Sequence, residues 1–142
     1  MDTEFEVKIN IVQEDPFEQG RRTVLNLGHT FAHAIEQVSG NSIGHGEAVA
    51  MGLVAAANLS ARQGYCSSVL QERIESTLTH AGLPRRIPGN MSADRLLNAM
   101  NRDKKKTAGR LRFVLLRDIG DVFVTDAVTQ TALRETLKEL IV

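Results

Sequence analysis

Aromatic side chains are scarce in this 142-residue chain: five Phe, one Tyr and no Trp. Without aromatics interleaved among basic residues, base stacking on single-stranded nucleic acid has little to work with. No charge of one sign dominates either. Seventeen Lys and Arg balance seventeen Asp and Glu, so no overall field draws the chain to nucleic acid or an anionic membrane. No apolar run approaches the roughly 18 residues needed to span a bilayer, and the N-terminus carries no charged-then-apolar secretory signal. The single cysteine, Cys66, excludes an internal disulfide and suits a reducing compartment, so a cytoplasmic location is expected. Its expected role is packing at a helix start.

What remains is ordinary globular material, 42% apolar and 24% charged, with enough length for one domain and a real core. A moderately amphipathic segment over 3–14 ends at Asp15-Pro16. A helix is predicted over 21–39, stopped by Ser39-Gly40-Asn41, and another over 45–62, ending at Gly64. The second is apolar nearly all round, which predicts a central, surrounded helix. Its Ala48, Gly52 and Ala56 recur at four-residue spacing and would let another backbone approach closely. Further helices are predicted over 67–81, 92–101 and 129–140. Residues 110–117 and 122–125 are rich in strand formers and flank Gly120, predicting a short hairpin. The fold class is therefore mainly α, a helical domain with one small β-hairpin.

The densest chemistry lies early. Three of the four histidines, His29, His33 and His45, fall within 17 residues. If 21–39 is one helix, Arg22, Asn26, His29 and His33 project within roughly 60° of each other. Val24, Leu27, Phe31, Ile35 and Val38 take the opposite side. A solvated face is usually built of Lys and Glu, because Asn and His are poorer helix formers. This stripe reads as the wall of a site.

Spacing alone leaves several roles open. His29 and His33 at i,i+4 could share one zinc, but Thr30 stands where the metalloprotease motif needs glutamate. Taken alone, two helical histidines are more often satisfied structural groups. His45, between Gly44 and Gly46, suits either a cap or a ligand, since neutral imidazole is the metal-binding form. Glu47 is explained by helix-start chemistry alone. Asp103-Lys104-Lys105-Lys106, placed in the loop before the hairpin, is either a solvated turn or a local anion site. His80 reads as a C-terminal helix residue, not a ligand.

Taken together, five ordered blocks resemble the 3-dehydroquinate synthase family of sugar-phosphate cyclases. They are Glu18-x-Gly20-x-Arg22, Leu25-Asn26-Leu27-Gly28-His29-Thr30, His33-Ala34-Ile35-Glu36, His45-Gly46-Glu47-Ala48-Val49 and Asp103-Lys104-Lys105. Ala32 departs from the glycine common in the family. The resemblance implies the family's C-terminal, metal- and substrate-binding domain over 1–142. It implies His29 and His45 as ligands of zinc or cobalt, and His33 on the substrate side, handling a proton near the departing phosphate. Arg22 and Asn26 would hold substrate oxygens, and Lys8 and Lys105 would add anion contacts.

The reaction implied is that of the shikimate pathway, from 3-deoxy-D-arabino-heptulosonate 7-phosphate to 3-dehydroquinate and phosphate. In it NAD transiently oxidises C5, phosphate is eliminated, the hydride returns, and ring opening with an aldol closure completes the sequence. No Gly-rich dinucleotide turn follows a strand in this chain. The resemblance therefore implies that the NAD-binding N-terminal domain and a third metal ligand lie outside it, that the isolated chain is inactive, and that the whole enzyme is a homodimer. Two other readings stay open at this point: a related cyclase such as 2-deoxy-scyllo-inosose synthase, and a non-catalytic helical module that binds zinc, anions or a partner.

Overall fold

The computed structural model describes residues 28–106, 112–118 and 120–141. Among them five helices and one hairpin follow in order: α1 (His29–Ser39), α2 (His45–Arg62), α3 (Ser68–His80), α4 (Ala93–Lys106), β1 (Phe113–Asp118), β2 (Asp121–Thr125) and α5 (Gln130–Leu140). The mainly helical class and the hairpin stand as expected. No helix among the described residues is long and apolar enough to cross a membrane.

α2 is the axis of the domain. Ala48, Ala50, Met51, Val54, Ala55, Ala56, Ala57 and Leu59 are all fully buried, because α1, α3, α5 and β1 each pack on a different side of it. Burying a side chain such as Val54 or Leu59 contributes about 1.5–3 kcal/mol. Small residues set the packing distance. The carbonyl of Gly28 approaches Gly52 so closely that a Cβ on Gly52 would lie 2.4 Å from the Gly28 oxygen. A Cβ on Gly28 would in turn lie 2.5 Å from the Gly52 carbonyl carbon. The four-residue spacing of small side chains in α2 therefore does admit another backbone, at the start of α1.

That same contact corrects the first predicted helix. Gly28 is left-handed, with φ 74°, and α1 begins only at His29. A continuous helix over 21–39 would need right-handed backbone at residue 28, so the four-residue stripe is cut between Asn26 and His29. The C-terminal stop is as expected: Gly40 and Asn41 are both left-handed, and their N–H groups cap the carbonyls of Gln37 and Glu36. The lysine run is also corrected. Residues 103–106 extend α4 through its last turn and do not form a loop, consistent with the good helix propensity of lysine and the preference for cations at a helix C-terminus. The amphipathic segment over 3–14 lies outside the described residues.

In the hairpin, Phe113 faces Thr125, Leu115 faces Phe123 and Leu116 faces Val122, with an irregularity between Leu116 and Asp118. Successive strand residues point to opposite faces, and both faces are covered. Phe113 and Leu115 join the main core, whereas Leu116 packs with Ala56, Ala57 and Leu70 in a second cluster. Half-buried Cys66 sits against that second cluster, where burial, and then Asp118, push its thiol above the usual range. It packs near a helix start, as expected.

The polar ties inside α2 were not legible in an apolar pattern. The buried Ser60 hydroxyl donates to the Ala56 carbonyl at 2.6 Å and accepts the Leu116 N–H at 2.9 Å, so it seats the hairpin on the central helix. Asn58 is buried as well. Its amide donates to Gln71 at 3.1 Å and Glu139 at 2.9 Å, while its oxygen accepts from Thr136 at 2.9 Å. One side chain thereby ties α2 to α3 and α5.

Two substitutions test this account by chemical denaturation. Gly52→Ala forces two backbones apart and should lower stability by about 1–3 kcal/mol, the usual cost of overpacking. Ser60→Ala strands the Leu116 N–H in the core and should cost about 1–3 kcal/mol, the cost of an unsatisfied buried donor. A Ser60→Ala protein as stable as its parent would show that this bond does not hold the hairpin.

Candidate metal and substrate site

The histidine wall forms where α1 starts and where α2 follows it. His29 is the first residue of α1, immediately after the left-handed Gly28. Thr30 does not complete a metalloprotease motif. Its hydroxyl donates to the Arg112 carbonyl at 2.9 Å and ties the start of α1 to the hairpin. Phe31 anchors the other side of that turn against Phe113, with ring centroids 5.5 Å apart. Buried residues on one side of α1 thus hold its histidines at the opposite surface.

His29 and His33 are stacked, their rings 6° from parallel with centroids 6.1 Å apart. His29 is exposed and its imidazole has no hydrogen bond among the described residues. His33 is half-buried, and Gln37, one turn on, places its amide nitrogen 3.1 Å from His33 Nε2. An amide N–H can only donate, so in this contact Nε2 accepts.

His45 opens α2 and meets the far end of α1. Its Nδ1 lies 3.1 Å from Glu36 Oε1, with the His45 side chain 73% exposed and Glu36 only 26% exposed. The structure therefore makes two separate contacts, His29 with His33 and His45 with Glu36. Glu47 acts as expected of a helix-start residue: its carboxylate accepts the Gly44 N–H at 3.2 Å. This is half of a capping box, since Gly44 has no side chain to return the bond. His80 Nδ1 lies 2.8 Å from the Ser76 carbonyl in the last turn of α3, away from the wall.

A divalent ion needs imidazole nitrogens not already engaged. His29 and the Nε2 of His45 meet that requirement, and so the donors present suit zinc or a similar cation. They are not a complete set. Among the described residues no group of three or more His, Cys, Asp and Glu side chains could hold a metal ion. Lys8, Arg22 and Asn26 lie outside the described residues. The backbone of Lys105 lies in the last turn of α4, which packs on α1; its side chain lies outside the described residues.

Glu36 and Gln37 are the site neighbours that residue-by-residue reading missed. Glu36 stood within one of the family blocks without a role. Its spacing from His33 is three residues, which puts it one turn along the same helix face and toward the residue that follows the α1–α2 turn.

The fold, a helical domain joined to a small hairpin, is that of sugar-phosphate cyclases. The chain resembles a structure of 2-deoxy-scyllo-inosose synthase complexed with carbaglucose-6-phosphate, NAD+ and Co2+, with a TM-score of 0.73 and 26% identity over 82% of this chain and 34% of that one. A 2-epi-5-epi-valiolone synthase from Streptomyces hygroscopicus subsp. jinggangensis 5008, with NAD+ and Zn2+ bound, shares the fold at a TM-score of 0.73 and 24% identity, over 82% of this chain and 32% of that one. Within this class the chain belongs to the 3-dehydroquinate synthase C-terminal family, whose model matches residues 2–106.

Named relatives agree. The chain is 48% identical over 140 residues to a 3-dehydroquinate synthase of Paracoccus denitrificans, and 46% identical over 140 residues to that of Caulobacter vibrioides. In both cases the alignment covers 94% of this chain but 38% of the relative, so the chain spans well under half the length of the curated relatives it matches.

Removing the Glu47 carboxylate tests the structural reading of that residue. Glu47→Ala should lower stability by about 1 kcal/mol, in the range of a lost helix-start cap. A loss of zinc binding with stability unchanged would instead assign Glu47 to the metal.

Proposed function

We propose that this chain is the metal- and substrate-binding C-terminal part of a 3-dehydroquinate synthase. The observation that carries this reading is the placement of three family-block histidines on adjoining helices, two of them exposed with nitrogens left unengaged. The activity, conversion of 3-deoxy-D-arabino-heptulosonate 7-phosphate to 3-dehydroquinate and phosphate, belongs to the complete protein. There this part works with an N-terminal NAD-binding domain in a cytoplasmic homodimer.

His29 and His45 would hold zinc or cobalt, with further ligands from outside the described residues. When bound, the ion would polarise vicinal substrate hydroxyls, and NAD would supply the transient oxidation at C5. The chain's own residues bind and orient the substrate. Arg22 and Asn26 take its carboxylate, hydroxyl or phosphate oxygens, and Lys8 and Lys105 add cationic contacts that stabilise phosphate as it leaves. His33 carries a proton to or from the reacting centre near that phosphate. Gln37, one turn on, keeps the His33 imidazole in place.

The curated relatives at 43–48% identity are named 3-dehydroquinate synthase, which favours this substrate over that of the inosose synthase. In the complete protein, phosphate should be released from the heptulosonate phosphate and not from glucose 6-phosphate. The reverse preference would reassign the chain to the related cyclase. His29→Ala and His45→Ala should each abolish tight zinc retention on dialysis, whereas His33→Ala should keep the metal and lower turnover about 10²–10⁴-fold, the range of a lost general acid–base group. Equal metal loss in all three variants would overturn this division of roles.

A further inference from the structure

We infer that Glu36 is a positioning residue for the metal ligand His45: it orients the imidazole, fixes its tautomer and so tunes metal affinity from the neighbouring helix. This rests on the reading of His45 as a ligand given above.

The geometry is specific. Glu36 lies near the end of α1 and His45 at the start of α2, with the left-handed Gly40 and Asn41 turning the chain back between them. That turn is fixed by backbone bonds from Gly40 N–H to the Gln37 carbonyl and from Asn41 N–H to the Glu36 carbonyl. The Glu36 backbone is thus part of the turn whose far side delivers His45. A carboxylate oxygen can only accept, so across the 3.1 Å contact the proton sits on His45 Nδ1. The lone pair then falls on Nε2, which points away from the bond and has no protein partner among the described residues.

A carboxylate behind an imidazole in this way holds the ring in one tautomer and orientation and raises its basicity as a ligand. An imidazole as exposed as His45 would otherwise sample several rotamers. No other structural role accounts for the contact. Glu36 is half-buried but not a core group, it caps no helix start, and its side chain makes no other hydrogen bond among the described residues.

The test uses the complete protein, metal-free and reloaded, with Glu36→Ala, Glu36→Gln and the control His45→Ala. Zinc affinity is read by chelator competition, the visible spectrum of the Co2+ form reports ligand geometry, and thermal unfolding of the metal-free protein reports structure. Glu36→Ala should weaken zinc binding about 10–100-fold, the usual effect of losing such a partner. It should also shift the Co2+ bands and leave the metal-free unfolding temperature in place. Glu36→Gln, whose amide oxygen still accepts from Nδ1–H without the charge, should fall between Ala and the parent. Parental zinc affinity and an unchanged Co2+ spectrum in both Glu36 variants would overturn the assignment. Should His45→Ala keep parental zinc affinity, His45 is no ligand, and the underlying reading fails along with this one. A drop in unfolding temperature that accounts for the metal loss in Glu36→Ala, with Glu36→Gln at parental affinity, would make the residue structural and overturn the proposal too.

Discussion

The contact between Gly28 and Gly52 is the constraint on which the rest depends. Two backbones meet there at a distance that no side chain on either residue would permit. The approach fixes where α1 starts, because Gly28 turns left-handed at the contact and the helix begins with the next residue, His29. It also fixes the height of α1 on α2, and therefore the positions at which Glu36 and His45 meet at the other end of the pair. A Cβ at Gly52 would press on Ala32 as well, 3.2 Å from its nitrogen and 3.3 Å from its Cβ. Ala32, the departure from the family's glycine, thus fills the space beside the crossing without entering it.

Around this crossing the domain separates rigidity from chemistry. α2 is buried along most of its length, and the polar groups it carries inward, Asn58 and Ser60, are fully satisfied. Satisfied buried polar groups give a helix direction as well as depth, since each bond has one geometry. Asn58 reaches α3 and α5, Ser60 reaches β1, and the hairpin in turn reaches α1 through Thr30 and Phe31. The histidines stand at the ends of this framework, at helix starts, where side chains remain accessible while the backbone is held.

The same arrangement gives the described residues a core of their own. That core is complete among the described residues and has no buried side-chain polar atom left unpaired. His29 and His45, by contrast, face outward with ring nitrogens unengaged among the described residues. Two exposed imidazoles beside a packed core suit a cleft closed by a second domain, which is the arrangement proposed for the complete synthase.

The sequence by itself determined the fold class, the central helix, the hairpin, the αL stop after Ser39 and the family, because these rest on local periodicity, turn residues and short ordered blocks. It also marked His29, His33 and His45 as candidate site residues. It misplaced the start of α1, since helical periodicity continues through Gly28 on paper and only the approach of α2 forces the left-handed turn there. It treated the lysine run as a loop because the boundary with the strand could not be drawn from charge alone. Tertiary structure decided which histidine meets which partner. Spacing paired His29 with His33 and left Glu36 without a role; the α1–α2 turn brought Glu36 to His45, nine positions away, a contact that no single-helix periodicity contains. The buried bonds of Asn58 and Ser60 belong to the same class. Their partners are distant in sequence, so only the packed chain could supply them.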